Sequence, residues 1–205
     1  MARKPNIASK KQPRQARAVA TVAAIVEAAT YILSRGGLAD FTSNKVAERA
    51  GVNVASFYQY FPNKEALLFH IVTKTWAEQF ARLEPILTDG GASPAERLRA
   101  FVRELILVEA AEVELRRGLR AASVELRETP EFKALLERGT ALFHRFLADA
   151  LRDRVPEALD FTVETTAILI TSFTEHATDE LGATDRLLQQ ADFLADLLIG
   201  RFGLD

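Results

Sequence analysis

Residues 41–64 read Phe41-Thr42-Ser43-Asn44-Lys45-Val46-Ala47-Glu48-Arg49-Ala50-Gly51-Val52-Asn53-Val54-Ala55-Ser56-Phe57-Tyr58-Gln59-Tyr60-Phe61-Pro62-Asn63-Lys64. This stretch predicts two short helices joined by a tight turn. Ser43 occupies an N-cap position, and Val46, Ala47 and Ala50 recur at helical spacing behind it. Gly51 stops the first helix, because glycine enters the left-handed region without steric cost. Asn53 can cap a second helix that Pro62 and Asn63 close. A helix, a tight turn and a helix at this spacing form the unit that places a reading helix in the major groove.

Helical hairpins with a glycine turn are common, so the second helix has to carry the argument. Val52, Phe57 and Phe61 can point inward, leaving Asn53, Val54, Ala55, Ser56, Tyr58, Gln59 and Tyr60 on the outer side. Two tyrosines beside amides and hydroxyls are a costly choice for a merely solvated face. Val54 and Ala55 at the helix entrance suit thymine methyl groups, the apolar feature of the major groove.

The order Ala50-Gly51-Val52-Asn53, Phe57-Tyr58 and Tyr60-Phe61-Pro62-Asn63-Lys64-Glu65-Ala66-Leu67 resembles the TetR/AcrR family of transcriptional regulators. Ile25-Val26-Glu27-Ala28-Ala29 with Gly36-Gly37 is similar to that family's first helix and its exit. The resemblance spans about residues 20 to 70. It implies that Tyr58, Tyr60 and Lys64 grip phosphates, assisted by Thr42 and Ser43. It also implies that Asn53, Val54, Ala55, Ser56 and Gln59 face base edges. The family usually has a small hydroxyl residue at 53, and often a polar residue then glycine at 54 and 55, so this chain departs from the pattern where sequence is read.

Charge divides the chain. Residues 1–64 carry ten Lys or Arg against Glu27, Asp40 and Glu48, a net of +7, while residues 65–205 hold sixteen basic and twenty-five acidic residues, a net of −9. One part is suited to a polyanion and the other to something else. The first seventeen residues contain Arg3, Lys4, Lys10, Lys11, Arg14 and Arg17 with Pro5 and Pro13 and no acid. That composition fits a solvated tail or a basic arm that adds DNA contacts. It lacks the apolar core of a secretory signal, and the longest apolar runs fall short of the roughly 18 residues that cross a membrane. A cytoplasmic protein with no membrane partner is expected. With no cysteine, disulfides and thiolate metal sites are excluded.

Helical periodicity continues to the end without strand-like alternation. Leu67, Leu68, Ile71, Val72, Trp76, Phe80 and Leu83 mark one long helix ending near Pro85. Ser93-Pro94-Ala95-Glu96 is a capping box with proline at the first helical position. Further helices are expected over Val113 to about Glu128, from Thr129-Pro130 to about Arg154, and over Leu159–Leu181 and Thr184–Phe202, the last two separated by Gly182. The fold class is all-α, with about nine helices: a three-helix helix-turn-helix domain, then a helical bundle. The expected division is a basic arm at 1–18, a DNA-binding domain at 19–66, and a ligand-binding and dimerisation domain at 67–205.

The last two helices are apolar on more than one side, so they need cover on more than one side, within the protomer or from a partner. The resemblance implies a four-helix seam with a second copy, for which Ile168, Phe173, Leu187, Leu194 and Leu198 are candidates. Candidates for a small-molecule pocket are Trp76, Phe80, Phe101, Leu105, Leu119, Phe143, His144, Phe146, Leu147, Phe173 and His176, apolar groups with a few polar ones among them. Each, taken singly, also fits ordinary core. Three scattered histidines at 70, 144 and 176 give no metal-ligand spacing, and no cofactor motif is present. A phosphate loop, a nucleophile elbow, a zinc-protease motif and a cysteine nucleophile are all missing, so an enzyme is not expected. The expectation is a homodimeric regulator, a repressor, that binds a palindromic operator in double-stranded DNA and leaves it when an unidentified small molecule binds. The competing expectations are a ligand-independent architectural DNA-binding protein and a small helical enzyme.

Overall fold

The computed structural model describes Ile7 and residues 16–152, 159–181 and 184–204. The basic arm, apart from Ile7 and residues 16–18, lies outside the described residues, as do Pro156 and the expected Gly182 break. The described residues form nine α-helices and one 3-10 turn: α1 Ala16–Asp40, α2 Ser43–Arg49, α3 Val54–Tyr60, α4 Lys64–Leu87, α5 Pro94–Ala111, α6 Val113–Ala122, the 3-10 turn Val124–Leu126, α7 Pro130–Ala150, α8 Leu159–Leu181 and α9 Thr184–Phe202. The fold is all-α, with an N-terminal helix-turn-helix.

The chain forms two compact units, and they are not consecutive in sequence. One holds residues 1–76 together with 114–133; the other holds 77–113 and 134–205. In the first, Ile25, Leu33, Phe41, Val46, Phe57, Phe61 and Leu67 are buried. Its α1 is 25 residues long and apolar enough, by length and composition, to cross a membrane. Yet Ile25, Ala28, Ala29, Ile32 and Leu33 recur on one buried stripe, the pattern of a core helix. Regular geometry in α1 breaks at Gly37, with φ 63° and ψ −160°, where the family resemblance places the helix exit.

The second unit packs around α5, which lies against α8 and α9. Its core includes Leu98, Val102, Ile106, Phe143, Phe146, Leu147, Leu194 and Leu198. The capping box at the start of α5 forms as expected: the Ser93 hydroxyl accepts from the Glu96 amide, and the Glu96 carboxylate accepts from the Ser93 amide. Arg97, buried one residue further on, donates from Nη1 to the Leu87 carbonyl at 3.0 Å and so closes the end of α4.

Three expected boundaries move. α4 runs past Pro85 to Leu87, because a proline in the last turn forfeits one bond while the Thr88 amide still reaches the Glu84 carbonyl at 3.1 Å. The helix expected from Val113 to Glu128 ends at Ala122, and 3-10 bonding takes over, with the Leu126 amide donating to the Ser123 carbonyl. The residue before Pro130 is driven out of helical geometry, so the chain has to unwind before α7 begins. α7 ends at Ala150, earlier than the expected Arg154. The bounds of α8 and α9 are as expected from sequence.

Candidate nucleic-acid interface

α2 and α3 are joined by a Schellman turn. Gly51, at φ 66°, donates its amide to the Glu48 carbonyl at 3.1 Å, and the Val52 amide reaches the Ala47 carbonyl at 3.0 Å. Asn53 then caps α3, its Oδ1 accepting from the Ala55 amide at 2.8 Å. The cap of α2 differs from expectation. Thr42, not Ser43, is extended (φ −125°, ψ 150°) and accepts from the Lys45 amide through Oγ1 at 3.3 Å. The Val46 amide already donates to the Thr42 carbonyl at 2.9 Å, so the first intrahelical bond makes Thr42 the cap residue.

α3 is anchored by aromatic rings. Phe57 is 0% exposed and Phe61 1%. Their centroids lie 6.0 Å apart, and Tyr58 packs its edge against Phe57 at 5.2 Å. Phe61 in turn meets His70 of α4 at 5.5 Å. Burial, and secondarily the nearby Lys74, lower the His70 pKa, so the ring is held neutral at pH 7. With this anchor fixed, helical geometry turns Val54, Ala55, Tyr58 and Gln59 to one outer arc, and all four are exposed. Asn53 and Thr42 are exposed as well. Ser56 and Tyr60 flank the inner side and are half-buried, as are Ser43 and Lys64. Val52 is only half-buried, less than the sequence had led us to expect.

The sequence offered no sign of how two cations of α2 are held. The Arg49 guanidinium lies over the Tyr31 ring of α1, 3.2 Å from its centroid, and Lys45 pairs with Asp40. Asn63, expected only to mark the end of α3, caps α4 through Oδ1, which accepts from the Ala66 amide at 2.7 Å.

The pocket candidates are distributed over both units. Trp76 and Leu119 belong to the first, where Trp76 lies 6.1 Å from Phe132. In the second, Phe101, Leu105, Phe143, Phe146 and Leu147 are buried together, with Phe101–Phe143 at 6.0 Å and Phe143–Phe146 at 5.9 Å. Phe80 is half-buried against Gly139, below the Arg138 guanidinium. His144 faces Asp160 at 3.1 Å. Phe173 and His176 line a concavity of about 220 Å³ with Ala177, Glu180 and Gln190. Among the described residues, no three His, Asp or Glu side chains converge as metal ligands.

The seam candidates need correction. Leu187, Leu194 and Leu198 are buried in their own unit's core and have no surface to give a partner. Ile168 is 60% exposed and Phe173 half-buried. The exposed apolar side chains on these helices are instead Phe161, Ile168, Leu169, Phe193 and Leu197.

Residues 25–71, from the middle of α1 through the first two turns of α4, match the model for bacterial regulatory proteins of the tetR family. An uncharacterised HTH-type transcriptional regulator of Mycobacterium tuberculosis is 29% identical over 151 residues, covering 74% of this chain and 68% of that protein. The HTH-type transcriptional repressor KstR of the same organism is 34% identical over 85 residues, 40% of this chain and 36% of its own. The transcriptional regulator FadR of Bacillus subtilis, solved in complex with stearoyl-CoA, superposes with a TM-score of 0.67 at 20% identity, over 86% of this chain and 97% of that one.

Proposed function

We propose, from the premise that this chain belongs to the TetR family of DNA-binding transcriptional regulators, that it is a homodimeric repressor released from a palindromic operator by a small molecule. As a member of that family it regulates transcription and is not an enzyme. The observation that carries the DNA reading is the arc Val54, Ala55, Tyr58 and Gln59, exposed over the buried Phe57 and Phe61. A short helix anchored from behind and clear in front can enter a major groove without rearranging its own core.

The proposed roles follow from that face. Asn53, Val54, Ala55, Ser56 and Gln59 meet base edges, Gln59 with an amide that suits adenine. Tyr58, Tyr60 and Lys64, with Thr42 and Ser43, hold phosphates. The functional division is an arm at 1–18, a DNA-binding domain at 19–66 and a sensing and dimerising region at 67–205. Phe161, Ile168, Leu169, Phe193 and Leu197 support a seam with a second copy, because five large apolar side chains on α8 and α9 stand exposed. One such head reads too few base pairs for selectivity, and two-fold pairing doubles the site. The effector has a substantial apolar part, in keeping with the phenylalanine-rich second unit. It releases DNA by favouring the state whose two heads do not match the operator. The proposed location is the cytoplasm.

Selection of bound DNA from a random pool tests this. An enriched inverted repeat, with half-sites about 34–36 Å apart, is expected. Failure to enrich any sequence, with binding that depends on salt alone, would leave the architectural alternative standing.

A further inference from the structure

We infer that Gly118 is a positioning residue for DNA reading: its bare backbone rests on the Leu33 carbonyl and fixes the angle at which α1 hands the chain to α2 and α3. This rests on the reading of α3 as the DNA-contacting helix.

Gly118 lies inside α6, where a glycine weakens the helix relative to alanine. It is buried, on the same side as Leu115, Leu119 and Ala122. A Cβ at 118 would stand 2.6 Å from the Leu33 carbonyl oxygen, 3.2 Å from its carbon and 3.4 Å from the Leu33 Cβ. No real Cβ sits that close to a backbone oxygen, so the absence of a side chain is what lets the two helices meet. Other helix-interior glycines make no such contact. Gly139 faces the far end of the Phe80 ring, Gly36 faces the Asp40 side chain, and Gly200 faces open space.

The place of contact gives it consequence. In a regular helix the Leu33 carbonyl would accept the amide four residues on, that of Gly37. Gly37 is where α1 departs from helical geometry, at φ 63° and ψ −160°. Three residues later α1 ends, Phe41 is buried, and Thr42 caps α2. α6 therefore bears on the last regular turn before the chain bends toward the reading helices. A side chain at such a contact can change rotamer and absorb a displacement. Two backbones in contact cannot, so a shift of α6 passes into the direction of α1's exit. Residues 114–133 pack in the compact unit of α1–α3, yet the chain on either side of them belongs to the other unit. That covalent route, beside the one through α4, makes Gly118 a point where a change arriving along the chain alters how α3 is presented.

The test compares Gly118→Ala and Gly118→Val with the wild-type full chain. Affinity is measured for the operator selected from a random pool and for random duplex DNA of equal length, at several salt concentrations. The expected result is a fall in operator preference of roughly tenfold for Ala, equivalent to about 1.4 kcal/mol of differential binding, and more for Val, whose larger side chain displaces α6 further. Affinity for random DNA and its salt slope should stay as in wild type, since phosphate contacts demand less of helix orientation. If the valine chain does not fold, the alanine chain, read below its melting temperature, carries the result. Gly90→Ala, whose Cβ meets nothing within 4 Å, serves as the control and should keep full preference. Equal losses on both DNAs, tracking the folded fraction, or an unchanged preference, would overturn the assignment and leave Gly118 a packing residue. A wild-type chain with no preference for any DNA overturns the premise as well.

Discussion

The imidazole of His70 in α4 stands edge-on to Phe61, the residue that closes α3, with ring centroids 5.5 Å apart. Burial lowers its pKa from the ordinary 6.5, with Lys74 adding to the effect. The unfolded chain therefore takes up this proton at a higher pH than the folded one. The associated stability is fully present above about pH 6.5 and is lost as pH falls through the lowered folded value. Urea midpoints measured from about pH 7.5 down to pH 5 should fall more steeply for wild type than for His70→Gln. Parallel curves would show that His70 contributes nothing to the acid sensitivity.

Gln59 and Lys64 should separate selectivity from grip. Gln59→Ala should leave the melting temperature unchanged, because the side chain is exposed. It should relax preference at one base pair by about 1–3 kcal/mol if its contact is bidentate. Lys64→Ala should weaken all duplexes alike and reduce the salt slope by roughly 0.9. Gel-shift titrations on operator and random DNA measure both; equal losses on the two DNAs for Gln59→Ala would remove it from the readers.

Adjacent positions on α9 predict opposite failures. Phe193 is exposed and Leu194 is 2% exposed. Phe193→Glu, and likewise Leu197→Glu, should give folded monomers with weakened operator binding. Leu194→Glu should unfold the second unit, since it buries an unpaired carboxylate. Sedimentation with circular dichroism distinguishes the two outcomes. A Phe193→Glu dimer as tight as wild type would place the seam elsewhere.

Phe146 is 3% exposed, beside Phe143 and under the Arg97 guanidinium at 5.3 Å. If these groups are close-packed core, Phe146→Ala should cost about 3–5 kcal/mol. If they line a space that an effector fills, the cost should be much smaller and the change should appear in effector response. Thermal melting decides between them before any effector is known.

What could be read from sequence was local. Caps and stops depend on residues a few positions apart, so the Asn53 cap, the Gly51 turn, the Ser93–Glu96 box and the extents of α8 and α9 were legible. The shift of the α2 cap from Ser43 to Thr42 involves two residues with the same chemistry, and only the backbone separates them. Three of the seam candidates are buried for a different reason. Leu187, Leu194 and Leu198 share the apolar side of α9 that its own unit covers, whereas Phe193 and Leu197 fall among the polar residues Asp185, Gln189, Asp192 and Asp196, and looking for apolar residues alone passes over that difference. The membership of 114–133 in the first unit was out of reach, because the Gly118–Leu33 approach joins positions far apart in the chain and involves no side chain at 118.

The division of α3 into a hidden aromatic root and an outward arc has a consequence for heredity. Codon changes at Val54, Ala55 or Gln59 replace exposed side chains and leave the buried Phe57 and Phe61 in place, so purifying pressure on the fold scarcely registers them, whereas Tyr58 also packs on Phe57. If that arc reads DNA as proposed, a duplicated copy of this chain can wander to new target sites by single steps, each intermediate remaining a folded protein. Changes at Phe57 or Phe61 have no such path, and descendants should keep that pair long after their targets have diverged.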